Sequence, residues 1–486
     1  MREVGGYLPP SVDGAAPEHG WRTEHFERGG QRLEVALPAL DAPAMTALAG
    51  RIRDEAAATL RSMPVDAIAA AVDAAAERML DRAHPLRQRA EQLLPIVTGY
   101  DGESVRLGLT ATFRNFRLPQ LRRFLAADLA DPGVLDGFRP QARGGLARAR
   151  GPALLLHVWA GNVPGLPVWG LVRGLLVKAG TIGKVSAAEP LLAGWFATLL
   201  AEAEPRLAGC LAILCWKGGA DPAEQAAFDA ADTVVAFGGN RTLAAIRNRL
   251  PGSTRFVGHG HKLSFGMVGR EALTPGRAPA AANLVARDIA RFEQQGCFAP
   301  QMIFAERGGA VDPAGFARHL AAALAAAEAR HPRRLLPLDE AAALAEWRDR
   351  EEARAVAQPG RAVVSAPDLG WCVSYADAAE PLRPAALNRS VTVVALDALE
   401  EAAALVAPFR ELLQAAGVAA PPRRLHALAE ALSAAGVTRI AALGAMTAPD
   451  AGWHNDGRFN LLDLLTITEI DPAAEAQAEL YAPYAD

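Results

Sequence analysis

Lysine is nearly missing from this chain. Only Lys178, Lys184, Lys217 and Lys262 stand among its 50 basic residues; the rest are arginine. All four fall between positions 178 and 262, where a compact ammonium on a slim stem has uses that a guanidinium fork lacks. Cysteine is as scarce. Cys210, Cys215, Cys297 and Cys372 show no framework spacing, which excludes a disulfide scaffold and makes a reduced cytoplasm the expectation. No Cys/His cluster has zinc-ligand spacing, so no metal is expected. A formal charge of −4 leaves no basic footprint for nucleic acid and no polybasic membrane patch. The N-terminus lacks the apolar h-region of a signal peptide. The longest largely apolar run, Leu191 to Ala201, is too short to span a bilayer, so no integral membrane segment is expected.

What is present is an ordinary globular composition, 51% apolar and 21% charged, over 486 residues. That length allows two or three domains. Residues 1–90 read as a mainly helical segment without assignment, with Gln31 to Ala36 as a candidate edge strand. Helices are expected over 43–82 with a break near Pro64, over 84–94 with a stop at Pro95, and over 119–130. Residues 141–150 read as a basic connector. From residue 153 the texture changes. Apolar runs at 153–159, 181–185, 211–215 and 233–237 alternate with helical segments, which predicts a parallel sheet covered by helices. No G-x-G-x-x-G occurs there, so a dinucleotide is held differently from the usual Rossmann fingerprint. Gly161, Gly165, Gly238 and Gly239 nonetheless gather where strands end and helices begin, the place where such sheets bind ligands.

Two short strands are expected over 254–269, around Gly258-His259-Gly260-His261-Lys262. A helix over 280–292 leads to Phe292-Glu293-Gln294-Gln295-Gly296-Cys297-Phe298-Ala299-Pro300-Gln301. A cysteine after glycine, between a helix and a strand, sits on a turning backbone that can expose its sulfur as a reactive thiolate. The other reading of the decapeptide alone is a buried small hydrophobe. Glu293 reads as a solvated helix residue. Beyond it, helices over 312–329 and 339–355 alternate with strands over 361–365, 371–374 and 390–396, a second α/β unit. A helix over 399–416, another after Pro421-Pro422 and a strand over 439–443 complete it.

Taken in order, these motifs resemble one family. Ala160-Gly161-Asn162-Val163-Pro164-Gly165, Gly183-Lys184-Val185-Ser186, Phe237-Gly238-Gly239-Asn240, Gly260-His261-Lys262-Leu263-Ser264-Phe265 and Gln294-Gln295-Gly296-Cys297 resemble the aldehyde dehydrogenase superfamily. Within it, Cys297-Phe298-Ala299-Pro300-Gln301 and Trp453-His454-Asn455-Asp456-Gly457-Arg458-Phe459-Asn460-Leu461-Leu462 are similar to the acyl-CoA reductases of the bacterial luminescence operon. The likeness runs from about residue 90 to 470. It implies an α/β, aldehyde-dehydrogenase-like fold: a Rossmann-type nicotinamide-cofactor domain over 91–265, a second α/β catalytic domain carrying Cys297 over 266–450, and a segment 451–486 that returns to the cofactor domain or forms an oligomer interface. It also implies a homo-oligomer.

By the same resemblance Cys297 is the nucleophile, forming an acyl-enzyme with an acyl-CoA or other acyl thioester, and Asn162 is the oxyanion amide. Read from the residues, Asn162 is alternatively a cap for the helix near Gly165. Lys184 and Ser186 are expected at the cofactor ribose, and Phe237, Gly238, Gly239 and Asn240 at the pyrophosphate. Ala187 stands where NAD-preferring relatives carry a glutamate, which favours NADPH. Gly258 stands where hydrolytic relatives keep a carboxylate base, which favours reduction over oxidation to the acid. His259 is the candidate acid or base, with His261 beside it. Oxidation of an aldehyde and a non-turning-over acyl-holding subunit stay open as alternatives. So does an acyl-transferring partner enzyme as the donor.

Overall fold

Buried strands of parallel sheets read as continuous apolar runs because helices cover both faces. In the computed structural model, which describes residues 1–10, 20–219 and 221–483, the runs after residue 153 become such strands. Two compact units result. One comprises Met1–Thr98, Arg106–Gly260 and Asp450–Asp486; the other comprises Gly99–Val105 and His261–Pro449.

The first unit opens with β1 (Arg2–Val4), β2 (Gly20–Arg28) and β3 (Gln31–Ala39). They pair in the order β1-β3-β2, so the strand expected at an edge is the central one. Five helices follow, α1 (Ala42–Ala58), α2 (Val65–Leu80), α3 (Pro85–Thr98), α4 (Gly102–Arg114) and α5 (Leu118–Asp128), the first turn of α4 being counted with the other unit. Pro95 does not stop α3 but lies in its last turn, where the missing N–H removes only one bond to the carbonyl four residues back. Next come β4 (Arg139–Pro140) and β5 (Leu146–Arg150), then β6 (Leu154–Val158), α6 (Leu166–Leu176), β7 (Gly180–Lys184), α7 (Leu192–Ala203) and β8 (Leu211–Leu214). The series ends with α8 (Pro222–Ala230), β9 (Thr233–Phe237), α9 (Asn240–Arg247) and β10 (Arg255–His259).

Strands β6 to β10 form one parallel sheet in the order β10-β9-β6-β7-β8. Alternation sorts their side chains. Leu154, Leu156 and Val158 join Met45, Leu48 and Ile52 of α1 and Ala223, Ala227 and Phe228 of α8 in one core. Leu155 and His157, also buried, point to the opposite face.

The second unit contains β11 (Leu263–Val268), α10 (Ala278–Ala290), β12 (Pro300–Glu306), α11 (Pro313–Arg330), α12 (Leu338–Ala357) and β13 (Arg361–Ser365). After them come β14 (Cys372–Ala376), β15 (Ser390–Leu396), α13 (Ala402–Val406), β16 (Leu413–Ala419), α14 (Pro422–Ala435) and β17 (Arg439–Ala442). The seven strands run β13-β14-β15-β12-β11-β16-β17, and only β13 is antiparallel to its neighbour. Along β12, Ile303 and Ala305 face the core built by α10 and α11, while Met302 and Phe304 face that of α13 and α14.

Residues 413–416, read from the sequence as the end of a helix, are thus part of the strand β16. A side chain at Gly417 would lie 2.3 Å from Met446 Sδ, and this close approach needs glycine in a sheet. The basic connector at 141–150 is also corrected. β5 pairs antiparallel with β18 (Thr466–Ile470), and with β4 they make a three-stranded sheet in the first unit. A last helix, α15, covers Pro472–Ala478. Among the described residues no helix is long and apolar enough to cross a membrane.

Candidate active site

The order of the five-stranded sheet fixes where its loops gather. From β6 the chain steps outward through β7 to β8, then returns to the other side of β6 for β9 and β10. The switch point lies between β6 and β9, and the carboxyl ends of parallel strands beside such a point form a natural ligand crevice. Each first-unit candidate stands at one of these ends. Asn162, exposed, follows β6; Lys184 ends β7 with Ser186 two residues on; Phe237 ends β9, with Gly238, Gly239 and Asn240 behind it; His259 ends β10.

Neighbouring loops are in close register. Trp159 N–H donates to Lys184 O at 3.0 Å, and Gly238 N–H donates to His259 O at 3.2 Å. A Cβ at Gly161 would sit 2.7 Å from Ser186 Oγ, so the Asn162 loop packs directly on the Ser186 loop. The N-cap of α6 is Gly165, three residues beyond Asn162, so Asn162 does not occupy the capping position. The N-cap of α9 is Gly239, and no side chain caps it. Free backbone N–H groups at a helix N-terminus beside a switch point suit a phosphate. Lys184 forms no ion pair among the described residues, and its side chain is partly exposed.

Ala187 is exposed. Glu189, the nearest following acid, does not replace the absent glutamate. Its Oε1 accepts the N–H groups of Leu191 and Leu192 at 2.9 Å each, capping α7, and burial pushes its pKa up to about 7. These residues fit a dinucleotide: an uncapped helix start for phosphate and, among the described residues, an ammonium on Lys184 without an ion pair.

His259 is 7% exposed and stacks on Phe237, ring centroids 4.5 Å apart and 14° between planes. Its Nδ1 lies 2.7 Å from Asp456 Oδ2, and its Nε2 is buried without a hydrogen-bond partner among the described residues. Burial lowers the imidazole pKa, and the bond to Asp456 opposes that fall. Neutral His259 with Nδ1–H donated to the carboxylate keeps a lone pair on Nε2. Asp456 belongs to the C-terminal motif, whose backbone is held by Asp128: Leu461 N–H donates to Asp128 Oδ2 at 2.5 Å and Leu462 N–H at 3.3 Å. His261 is exposed, and Lys262 Nζ donates to Glu411 O at 3.0 Å.

In the second unit Cys297 precedes β12 and is partly exposed, whereas Cys210, Cys215 and Cys372 are buried. Burial pushes the Cys210 and Cys372 thiols up to about 12 and raises Cys215 as well. Ser264 Oγ donates to Cys297 O at 2.7 Å. Gln294 Nε2 closes the loop by donating to Pro300 O and to Ser390 O, both at 2.9 Å. Glu293 is not a solvated helix residue. It is 2% exposed and receives two bonds from Arg389, Nε to Oε2 at 2.7 Å and Nη2 to Oε1 at 2.9 Å. The reason is local: Phe292, Glu293 and Gln294 all have positive φ, 51°, 51° and 60°, so the chain leaves the helical path and turns Glu293 inward.

Residues 60–467 match the family model of acyl-CoA reductase (LuxC). The chain belongs to that family. It is 29% identical over 180 residues to the long-chain acyl-protein thioester reductase 2 of Photobacterium leiognathi, a match covering 36% of this chain and 37% of the relative. To the long-chain acyl-protein thioester reductase of Vibrio harveyi it is 27% identical over 180 residues, with the same coverage. These pairwise matches therefore span little more than a third of each relative. The aldehyde dehydrogenase KauB from Pseudomonas aeruginosa superposes with a TM-score of 0.74 at 16% identity, covering 96% of both chains. An indole-3-acetaldehyde dehydrogenase complexed with NAD+ gives 0.74 at 17% identity, again covering 96% of both. At these identities the likeness establishes the fold, which is aldehyde-dehydrogenase-like.

For this acyl-CoA reductase family member, the sequence leaves Asp456 between a part in the site and a purely structural role, the latter favoured, and sequence reasoning missed Arg389. Asp456 pairs with a histidine 197 residues away, and Arg389 with a glutamate 96 residues away. Asp456 carried a signal, the polar Trp453–Asp456 run before a glycine. Arg389 carried none among so many arginines. No group of three or more His, Cys, Asp or Glu that could hold a metal occurs among the described residues.

Proposed function

We infer that this protein reduces a fatty acyl thioester to the aldehyde with Cys297 as the acyl acceptor and NADPH as the reductant. The observation that carries the reading is the contrast among the four thiols: three are buried, and only the one on the bonded loop before β12 is partly exposed. The Cys297 thiolate attacks the thioester carbonyl, the donor thiol leaves, and an acyl-cysteine remains. A bound nicotinamide supplies the hydride that takes this acyl group to the aldehyde level. The protein supplies the rest. Asn162 is the amide that donates to the carbonyl oxygen as its charge grows. His259, neutral and oriented by Asp456, carries a proton. Lys184, Ser186 and the turn Phe237–Asn240 hold the dinucleotide, and the exposed Ala187 admits a 2′-phosphate.

Gly258 supports reduction over hydrolysis, since no carboxylate stands at that point of β10 to direct water onto the acyl-cysteine. The test is a panel of acyl-CoAs and acyl-carrier proteins with NADPH or NADH, following nicotinamide absorbance and aldehyde together. The reading expects aldehyde from a thioester, faster with NADPH, and none from Cys297→Ala. Aldehyde oxidation without a thiol acceptor points to an oxidising enzyme instead. Acylation of Cys297 with no nicotinamide-dependent turnover points to an acyl-holding subunit.

A further inference from the structure

Two left-handed segments face each other behind Cys297. Phe292-Glu293-Gln294 is one, and Leu387-Asn388-Arg389, with φ of 59°, 51° and 68°, is the other. None of the six is glycine, and runs of L-residues in this region are strained unless their surroundings hold them. Here the two runs hold each other. Asn388 N–H donates to Glu293 O at 3.0 Å. Ser390 N–H donates to Gln294 Oε1 at 3.1 Å, and Gln294 Nε2 reaches Ser390 O and Pro300 O. At the centre the Arg389 guanidinium forks onto the Glu293 carboxylate; both residues are 2% exposed. Two of its other N–H groups are also used, Nη1 on Glu328 at 2.5 Å and Nη2 on His331 O at 2.8 Å.

We propose that Arg389 is a positioning residue for Cys297: through Glu293 it locks the left-handed turn that sets the path of the loop 294–300, and with it the attitude of the thiol. Removing Arg389 leaves the Glu293 carboxylate buried without its fork, and removing Glu293 leaves Arg389 with Glu328 alone as a charged partner, so in either case the two strained runs lose the ion pair that joins them. The loop from Gln294 to Pro300 is short and closed by the Gln294 side chain, so relaxation of Gln294 is transmitted to Cys297 three residues on. Glu328 bonds Nη1, the guanidinium nitrogen that takes no part in the fork onto Glu293, and its side chain is partly exposed, so Glu328→Gln is the control. A hydrogen-bonded fork matters here because planar Arg–carboxylate pairing fixes orientation as well as separation.

This assignment rests on Cys297 accepting an acyl group, and two readouts on the full-length protein keep the two ideas apart. The first is single-turnover acylation of Cys297 by an acyl-CoA, measured by intact mass in wild type, Glu293→Gln, Arg389→Met, Arg389→Lys and Glu328→Gln. The maximal acylation rate is expected to fall about tenfold or more in Glu293→Gln and Arg389→Met, with the half-saturating concentration within about threefold. Arg389→Lys, which keeps the charge and loses the fork, is expected to fall between; it also serves if the methionine variant does not fold. Glu328→Gln is expected to stay within about twofold. The second is hydrogen exchange without substrate. Peptides covering 292–301 and 386–391 are expected to lose protection together in the Glu293 and Arg389 variants and not in Glu328→Gln. Unchanged acylation and unchanged exchange over 294–300, with only a lowered unfolding midpoint, overturns the proposal. A wild type that takes no acyl group sinks the functional reading instead, and the exchange pattern then decides the coupling by itself.

Discussion

Asp456 Oδ2 lies 2.7 Å from His259 Nδ1, joining a turn near the C-terminus to the end of β10 across 197 residues. Asp456 itself has positive φ, 57°, so the turn that carries the carboxylate is held in a sparsely populated conformation. The imidazole it meets is buried, and its other nitrogen has no hydrogen-bond partner among the described residues.

Replacing Asp456 by Asn keeps the shape and removes the charge. The carboxylate is what raises the imidazole pKa against burial, so its loss lets the pKa drop further. The acid limb of the kcat/KM profile is expected to move to lower pH, and kcat to fall by about tenfold as the tautomer is no longer fixed. A pH–rate profile of the variant checks this; an unmoved limb removes His259 from the reaction.

His157 gives a stability prediction with a definite sign. It is fully buried on β6 and stacked on Trp159 at 5.4 Å. Burial lowers its pKa well below the ordinary 6.5, with Arg173 adding to the effect. Below that value the unfolded chain takes up a proton that the folded chain refuses. Stability is therefore present above pH 6.5 and is lost as pH falls, by about 1.4 kcal/mol per pH unit for this one group. Urea denaturation at pH 7.5, 6.0 and 5.0 measures the slope. His157→Phe preserves the stack and is expected to make that part of the curve shallower by one proton.

Cofactor choice is open to one substitution. Ala187→Glu adds a carboxylate on the exposed loop after Lys184, where Glu189 is already committed to capping α7. Repulsion of a 2′-phosphate is expected to raise KM for NADPH about tenfold or more and leave NADH little affected. Equal KM changes for the two cofactors count against placing the ribose there.

Legibility followed local physics. β6, β7, β8 and β9 stood out because strands buried on both faces are apolar runs bounded by glycine and polar turns, and four such runs imply the sheet. The positions at their carboxyl ends were legible for the same reason. What failed depended on distant partners. Residues 413–416 have the alanine content of a helix and become part of a strand because β11 and β17 flank them. β5 looked like a basic connector because its partner, β18, is more than 300 residues away. Glu293 looked solvated because nothing nearby in sequence announces a left-handed turn or Arg389. Periodicity reports burial along one segment; it carries no account of which charge waits across the fold.

Ser264 shows how the sheet itself reaches the Cys297 loop. β11 slips in register against both β12 and β16 at this residue, so the regular backbone ladder is interrupted on both sides. Its hydroxyl fills the gap. Oγ donates to Cys297 O at 2.7 Å and accepts the Ala415 N–H at 3.1 Å, with no solvent exposure. Ser264→Ala leaves a carbonyl and an N–H without these partners, and water has no access to Ser264 to replace them. The expected cost is about 2–3 kcal/mol, read from the urea midpoint at unchanged m-value. Because one of the two lost bonds ends on the carbonyl of Cys297, acylation is expected to slow severalfold in the fraction that remains folded. A variant of equal stability loss elsewhere in β11, such as Met267→Ala in the core behind the strand, is expected to leave acylation unchanged. If both variants slow acylation alike, the hydroxyl matters only through overall stability.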